Sequence, residues 1–465
     1  MNERAPRSKG PLSSPLAALP KVDRLAQHPS LAAVTKRLGV ATITRMARLA
    51  IDAARGRIGA GEACPSIDDL AADVAARARA SLSSRARPVI NATGVVLHTN
   101  LGRAPLSQAA VEALARSAGR YTSVEVDLAT GKRGARGAFA EEALARLTGA
   151  EAALVVNNNA AAVMLALSAL AFGKKVLVSR GELVEIGGGF RVPDVLARSG
   201  AVMVEVGTTN KTRLDDYTRA FDDGGVALVL CVHQGNFRQI GFVERPSPSA
   251  LVKLAHERGA LAVHDLGGGA LLDFEPFGLR GETPVQDSVK AGFDVVCFST
   301  DKALGGPQGG ALVGAEGPIS KARRDPLARA LRLGRLPLVA LEATLSEYLT
   351  GARGNVPVLA ALEAPLEAVE ARAREWQSAL RERGRRVDLV RLEVAVGGGT
   401  LAEEALASAG VAVSVEDPDA LAARLREGDP PVFARIQEGR VLFDARTVLP
   451  FEDAELIEAI ARALS

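Results

Sequence analysis

One lysine stands where a lysine side chain can become a nucleophile. Lys302 follows the apolar run Val295–Ser299 and precedes a glycine-rich turn, Gly305–Gly310, which leads into a second short apolar run. This order places the lysine at the mouth of a β-sheet. Desolvation and positive neighbours would lower the pKa of its amine there, so that it could form an imine with a carbonyl cofactor such as pyridoxal phosphate. The alternative is a surface lysine in a strand-to-strand turn.

Two other apolar runs end in side chains that suit such a cofactor. Asp265 ends the run Leu261–Asp265, 37 residues before Lys302, and a buried carboxylate there could hold a pyridinium nitrogen protonated. His233 follows the run Val226–Val232, and its imidazole suits packing on a ring. The alternatives are a helix cap for Asp265 and a satisfied core histidine for His233.

Two further segments could bind anions. The run Ala152–Val156 is followed by Asn157–Val163, which opens an apolar helix, and the free N–H groups at such a helix start favour a phosphate. Arg103 follows Gly102 in a turn before the predicted helix Leu106–Ala118, where its guanidinium could reach an anion in a cleft. An ordinary helix start and a solvated arginine are the alternatives.

Alternating strands and helices must position these residues. The alternation predicts an α/β fold with a largely parallel sheet, right-handed crossovers and a site at the carboxyl ends of the strands. The predicted strands are Ala152–Val156, Lys175–Ser179, Val202–Val206, Val226–Val232, Leu261–Asp265, Val295–Ser299 and Ala311–Val313.

A chain of 465 residues is long enough for two or three domains. Proline and serine predict a disordered tail over residues 1–20. Apolar spacings of three and four predict a helical domain over 21–87. We expect a large α/β domain over 88–340 and a small α+β carboxy-terminal domain over 341–465.

The basic charge is concentrated in the amino-terminal region. Residues 1–87 hold 15 Lys and Arg against 7 Asp and Glu, whereas the whole chain has a formal net charge of only +3. Aromatic residues make up 4% of the chain, which argues against a base-stacking surface, so any contact with nucleic acid must be mainly electrostatic. The arginines left for the polar helix faces could bind phosphates or be ordinary solvated residues; they are Arg45, Arg48, Arg55 and Arg57.

The cysteines and the apolar segments indicate a compartment. Cys64, Cys231 and Cys297 have no paired or metal-ligand spacing and are typical of buried thiols in a reducing environment. The first twenty residues lack a signal-peptide core, and Ala160–Phe172 is too short to span a bilayer. We therefore predict a cytoplasmic protein without a metal site or a membrane segment.

Five stretches taken together resemble one family. They are Val89–Pro105 (VINATGVVLHTNLGRAP), Asn157–Val163 (NNNAAAV), Ser179–Val195 (SRGELVEIGGGFRVPDV), Glu205–Thr212 (EVGTTNKT) and Phe298–Gly310 (FSTDKALGGPQGG). In this order they are similar to bacterial selenocysteine synthases, the L-seryl-tRNA(Sec) selenium transferases of pyridoxal-phosphate fold type I. The resemblance implies a mostly parallel seven-stranded sheet and pyridoxal 5'-phosphate as the cofactor.

The resemblance also implies roles for single residues. Lys302 would form the internal aldimine and Asp265 would meet the pyridine nitrogen. The backbone that would hold the cofactor phosphate is at Asn158, Asn159 and Ala160. Arg103 would lie near the cofactor and the substrate.

A separate set of positions matches the site of the selenium donor's anion: Thr208, Thr209, Asp301 and Arg329. Arg332 lies in the same motif as Arg329 and is an alternative to it. For Asp301, orienting the neighbouring arginine and handling the proton of the leaving hydroxyl both remain open.

The chain departs from the family pattern at a few positions. Gly189 and Gly268 stand where the family commonly has serine, Gln234-Gly235 replaces a hydroxyl-bearing pair, and Leu333-Gly334-Arg335 replaces a Val-Asp-Lys run. These changes bear on supporting hydrogen bonds and leave the lysine in place.

The resemblance implies conversion of L-seryl-tRNA(Sec) to L-selenocysteinyl-tRNA(Sec) with selenophosphate. Water would be eliminated to leave dehydroalanyl-tRNA, to which selenium adds. The basic helical region would bind the tRNA, and the enzyme would be a homodecamer with active sites between subunits. One rival is a pyridoxal-phosphate lyase or aldolase for a free amino acid, and another is a non-catalytic tRNA-binding protein.

Overall fold

The computed structural model describes residues 15–82, 86–186, 189–235, 237, 239–397 and 404–465. Contacts between residues divide the chain into two compact units, Met1–Pro88 and Val89–Ser465. Most of the tail predicted over residues 1–20 lies outside the described residues. Its last part is ordered, because Pro15–Ala18 forms a 3-10 helix.

The first unit is a small helical bundle. Its helices are α1 (Val22–Ala26), α2 (Ala32–Leu38), α3 (Val40–Gly59) and α4 (Ile67–Leu82). Apolar residues recur at helical spacing on α3 and α4 and meet in one core with Leu25 and Leu31. The side chains of the four arginines on α3 are exposed, and Arg55 bonds to Asp52 at 2.7 Å.

The second unit contains the strands β1 (Ile90–Ala92), β2 (Ala152–Val156), β3 (Lys175–Ser179), β4 (Glu185–Ile186), β5 (Phe190–Arg191), β6 (Val202–Val206), β7 (Val226–Val232), β8 (Leu261–Gly267), β9 (Val295–Ser299), β10 (Gly310–Gly314), β11 (Asp388–Ala395), β12 (Ala405–Ser414), β13 (Val432–Gln437) and β14 (Arg440–Asp444). Its helices are α5 (Gln108–Ala118), α6 (Ala138–Thr148), α7 (Asn159–Ala171), α8 (Val192–Ser199), α9 (Leu214–Asp222), α10 (Pro248–Glu257), α11 (Val285–Lys290), α12 (Glu316–Arg324), α13 (Pro326–Ala330), α14 (Arg335–Leu349), α15 (Pro357–Glu363), α16 (Leu366–Glu382), α17 (Pro418–Glu427) and α18 (Asp453–Ala463). None of the helices in the described ranges is both long and apolar enough to cross a membrane.

The larger sheet has seven strands in the order β2-β10-β9-β8-β7-β3-β6. Only β10 runs against its neighbours, because the tight turn after β9 returns the chain alongside that strand. Separate apolar clusters cover the two faces of the sheet, so its central strands are buried on both sides. The prediction of a mostly parallel sheet is therefore confirmed.

A second sheet of five strands has the order β1-β13-β14-β12-β11. β1 pairs in parallel with β13, although the sequence places β1 at the start of the predicted large domain. The strand thus joins the sheet of the carboxy-terminal strands, and the large domain over 88–340 stays a prediction. Val89–Ser465 remains one compact unit, so the boundary at residue 340 stays a prediction.

Candidate active site

Lys302 lies just beyond the end of β9, in the turn to β10. Backbone bonds tie this turn together: Thr300 N–H donates to Gly309 O at 3.0 Å and Gly306 N–H donates to Thr300 O at 2.8 Å. A β-carbon at Gly309 would lie 2.6 Å from Thr300 Oγ1, which explains a glycine there. Only 7% of Lys302 is exposed. Burial and the nearby Arg103 lower the pKa of its amine, which favours the nucleophilic free amine.

Asp265 lies on the neighbouring strand, β8, opposite Cys297 of β9. The carboxyl is buried, and Asn159 Nδ2 donates to its Oδ1 at 2.8 Å. Burial raises the pKa of this carboxyl, while the Asn159 bond and the charge of Lys302 oppose that shift. A cationic ring nitrogen is the kind of partner that would keep such an acid ionised.

The start of α7 faces the same space. Asn158 caps the helix by accepting a bond from Ala161 N–H at 2.8 Å. The backbone at Gly310 passes so close to the start of α7 that a β-carbon at Gly310 would lie 2.1 Å from Asn158 O. The helix therefore begins against the sheet, with the positive end of its dipole at the cavity, an arrangement that favours a phosphate.

Arg103 and Asp301 close one side of the space. Arg103 Nη1 donates to Asp301 Oδ2 at 2.8 Å. Arg103 has a left-handed backbone conformation with φ of 64°, which is uncommon for a residue other than glycine. Backbone strain of this kind is found mainly where the surrounding fold holds a functional side chain in place. The structure thus brings these two predicted residues into contact.

His233 follows β7, and its backbone N–H donates to Asp265 O at 2.8 Å. Burial lowers the pKa of the imidazole, and the positive charges of Lys302 and Arg245 lower it further. A neutral ring is therefore favoured at neutral pH, which suits packing against a flat cofactor.

These residues line one cavity of about 410 Å³. The predicted residues on its wall are Arg103, Asn158, Asn159, Ala160, His233, Asp265, Asp301 and Lys302. Asn159 Oδ1 is buried there without a hydrogen-bond partner among the residues that the structure describes. A nucleophilic amine, a buried acid, a helix start and a neutral imidazole together fit pyridoxal phosphate.

The three other predicted donor-site residues lie elsewhere. Thr208 and Thr209 are exposed in the turn after β6, where Thr208 Oγ1 donates to Lys211 O at 2.9 Å. Arg329 is exposed on α13 and lines a separate cleft of about 370 Å³ together with Arg332. Their role in binding the donor stays a prediction.

Two buried acids near the cavity were not predicted from the sequence. Glu182 Oε2 accepts from Val232 N–H at 3.0 Å and so anchors the end of β7, and burial raises its pKa to about 7. Glu282 lies close to Gly268, and burial raises its pKa to about 8. Both follow a glycine in short connecting segments without apolar periodicity, so no sequence signal separates them from surface acids.

The departures from the family pattern make contacts of their own. Gln234 donates to Gly181 O and accepts from Arg245. Arg335 donates to Arg120 O at 2.9 Å and so holds the chain just after α5. These side chains thus secure turns in the described structure. Residues 187 and 188, beside Gly189, lie outside the described residues.

Comparisons with known proteins agree over nearly the whole chain. The family model for L-seryl-tRNA selenium transferase matches residues 89–449. An L-seryl-tRNA(Sec) selenium transferase from Moorella thermoacetica is 46% identical over 458 residues, which cover 97% of each chain. The protein of the same name from Hyphomonas neptunium is 43% identical and covers 96% of this chain and 98% of its own.

Among solved structures, D-glucosaminate-6-phosphate ammonia-lyase aligns with a TM-score of 0.57 and 22% identity, covering 81% of this chain and 95% of its own. This likeness concerns the fold alone. The fold is pyridoxal-phosphate fold type I, and the family match confirms the resemblance seen in the sequence. The chain belongs to the L-seryl-tRNA selenium transferase family.

Proposed function

We propose that this chain converts L-seryl-tRNA(Sec) to L-selenocysteinyl-tRNA(Sec), with selenophosphate as the selenium donor. The observation that carries the proposal is the buried Lys302 beside Asp265 and Arg103, in a member of the family named for this reaction. A lyase or aldolase for free amino acids would use the same lysine, but the family match does not support it.

The residues on the wall of the cavity support a place for each part of the cofactor. Asp265 would hold the ring nitrogen, the start of α7 the phosphate, and His233 one face of the ring. Pyridoxal phosphate bound at Lys302 supplies an electron sink for the charge left when the Cα proton of the seryl group departs.

The chain's own groups would then move the proton. Lys302 Nζ, with its lowered pKa, can accept the Cα proton as a general base at neutral pH. Asp301 accepts one N–H of Arg103, which leaves the other guanidinium donors for a substrate oxygen. We therefore assign Asp301 the orienting role.

The donor site would be completed by a second copy of the chain. Thr208, Thr209 and Arg329 are exposed and lie off the lysine's cavity, so we place the partner's equivalents of these residues opposite it. Large exposed apolar side chains support such an interface, because Ile240 is 80% and Phe242 is 85% exposed. We extend this to the ring of ten subunits that the resemblance implies.

We assign tRNA binding to the helical region 21–87 and a cytoplasmic location to the protein. The exposed arginines of α3 support the first assignment, since phosphate contacts need accessible cations. The free cysteines support the second.

The direct test is a reaction of the purified protein with serylated selenocysteine tRNA and selenophosphate. We expect selenocysteinyl-tRNA, detected by the mass of the amino acid after deacylation. A matched reaction with free serine or cysteine is the control. Turnover of the free amino acid without any selenocysteinyl-tRNA would contradict the proposal.

The shared site has its own test. Lys302→Ala should be nearly inactive alone, and Arg329→Ala should keep about a tenth of the wild-type activity or less when selenophosphate is held well below its KM. After dissociation and reassembly together, some interfaces would carry both intact residues, and activity should return to about a quarter of the wild-type value for random pairing. Mixtures that stay inactive, although the subunits exchange, would place Arg329 in the same copy as its lysine or outside the site.

A further inference from the structure

A buried acid lies beside the active-site lysine and has no role so far. Only 7% of Glu282 is exposed, and neither of its carboxyl oxygens has a hydrogen-bond partner among the described residues. Burying such a group without a partner is unfavourable. A residue held in this way is a candidate for function, since the fold does not use it to satisfy another polar group.

Glu282 and Lys302 lie against two adjacent glycines, Gly268 and Gly267. A β-carbon at Gly268 would lie only 1.8 Å from Glu282 Oε1, and a β-carbon at Gly267 would lie 3.9 Å from Lys302 Nζ. Gly268 O also accepts a bond from Ala303 N–H at 3.2 Å. The carboxyl therefore occupies the volume that a side chain at position 268 would fill, next to the segment that carries the lysine.

The loop that carries Glu282 is held in this position. Gly281 has a φ of 93°, and Val285, at the start of α11, donates its N–H to Ala270 O at 2.9 Å. The loop is thus bonded to the chain just after Gly267 and Gly268. The fold therefore holds the carboxyl of Glu282 near Lys302, and the loop that carries it is not a free surface segment.

The other charged groups around Lys302 have defined partners. Asp265 accepts from Asn159, and Asp301 accepts from Arg103. Both acids favour the ammonium form of the lysine, whereas Arg103 opposes it. Among the described residues, His233 is a further titratable neighbour, and its ring is favoured in the neutral form.

Glu282 also favours the ammonium form of the lysine when it is ionised. Burial raises the pKa of its carboxyl to about 8, so its charge appears within the range in which the enzyme would work. Its influence on the lysine should therefore grow as the pH rises toward 8 and beyond.

We propose that Glu282 is a positioning residue that sets how much of Lys302 is present as the free amine, acting from the space that Gly268 leaves beside it. The role is independent of the substrate and holds for any reaction that uses this lysine. Failure of the selenium-transfer assay would therefore leave it untouched.

The test is the pH profile of lysine acetylation in the full-length protein freed of cofactor. Acetic anhydride labels free amines, and mass spectrometry separates Lys302 from Lys253, whose side chain is 77% exposed and serves as the internal reference. In Glu282→Gln we expect the Lys302 profile to move to lower pH, with labelling at least about threefold faster on its rising limb. The Lys253 profile should stay unchanged.

A second variant perturbs the same pair without removing the acid. Gly268→Ser must displace the end of the Glu282 side chain, so it should move the profile in the same direction. Gly317→Ser is the matched control, since a β-carbon there meets no atom within 4 Å. Glu275→Gln removes an exposed acid from the same segment and should have no effect.

The holoenzyme gives a readout that does not depend on activity. The pH midpoint of the cofactor's visible absorbance should also fall in Glu282→Gln, and Glu282→Asp should restore part of the shift. A folded Glu282→Gln protein with an unchanged Lys302 profile would overturn the proposal. If Gly268→Ser alone leaves the profile unchanged, the part assigned to the space at Gly268 is overturned.

Discussion

The cavity around Lys302 and the predicted donor residues are built in opposite ways. Lys302 and Asp265 are buried just beyond or at the ends of adjacent strands and are held by the sheet register. Thr209 and Arg329 are exposed in surface segments, and among the described residues neither lines the cavity of about 410 Å³ that holds the lysine. The residues of the first region line one cavity, whereas those of the second lie on separate surface segments.

This difference follows from what each region must do. Tuning the pKa of an amine needs low solvent exposure and fixed charges, which only a folded core provides. Binding a small anion that must enter and leave needs accessible donors, and these can come from two copies. We therefore assign the lysine chemistry to groups within one chain, and in the proposed assembly the selectivity for the donor would depend on a second copy.

The largest expected effect tests the internal region. Lys302→Ala should lower the rate of selenocysteinyl-tRNA formation by about 10³-fold or more, because it removes both the attachment point and the base. The visible absorbance of the bound cofactor should disappear in the same variant. Lys253→Ala, which changes an exposed lysine, is the control. Activity within tenfold of wild type would show that the cavity is not the reaction centre.

The next effect separates charge from shape within the cavity. Asp265→Asn keeps the size of the side chain but removes the charge opposite the ring nitrogen, so we expect kcat to fall about 10²-fold. Cofactor should still bind, as measured by absorbance. Asp273→Asn, at an exposed position, is the control. An unchanged kcat would remove Asp265 from the mechanism.

A smaller effect tests the exposed region. Arg329→Ala should weaken the use of selenophosphate about 10-fold to 100-fold, seen mainly as a higher KM for the donor, because one charge-assisted hydrogen bond is lost. Absorbance of the cofactor and thermal stability should not change. Arg332→Ala made in parallel decides which arginine contacts the anion. A normal donor KM in both variants would contradict the predicted donor site.

The smallest effect, taken per pH unit, measures the cost of burying an acid near the cavity. The pKa of Glu282 is raised from 4.5 to about 8 in the folded protein, so its stabilising contribution is complete below pH 4.5 and is lost as the pH rises toward 8. The free energy of unfolding of wild type should therefore fall relative to Glu282→Gln over this window, by at most about 1.4 kcal/mol per pH unit.

Urea unfolding of the cofactor-free proteins at several pH values measures this difference. Glu275→Gln provides the exposed control and should follow wild type. Parallel pH profiles for wild type and Glu282→Gln would show that the carboxyl is solvated in solution.

Much of the larger sheet could be predicted from local pattern. The strands β2, β3, β6, β7 and β9 have the predicted bounds, because short apolar runs between turn residues leave few alternatives for a buried strand. Lys302 and Asp265 could be singled out because each follows or ends such a run. In the structure they line one cavity.

Other features had no local signal. The strand β1 is three residues long and is stabilised by β13, more than 330 residues further along the chain. The partner of Asp301 was likewise open, and only the fold brings Arg103 to it at 2.8 Å. A contact between distant segments depends on the path of the chain between them, which periodicity does not encode.

The sequence by itself determined the class of the sheet, the lysine at its mouth and the family, because these depend on residue types in local order. Only the tertiary structure decided which acids surround that lysine. Glu282 could be identified only from the fold, which brings its loop against Gly268 and raises the pKa of its carboxyl by burial. Burial and proximity alter the pKa of a group, and both depend on how distant segments pack and not on neighbouring residues in the chain.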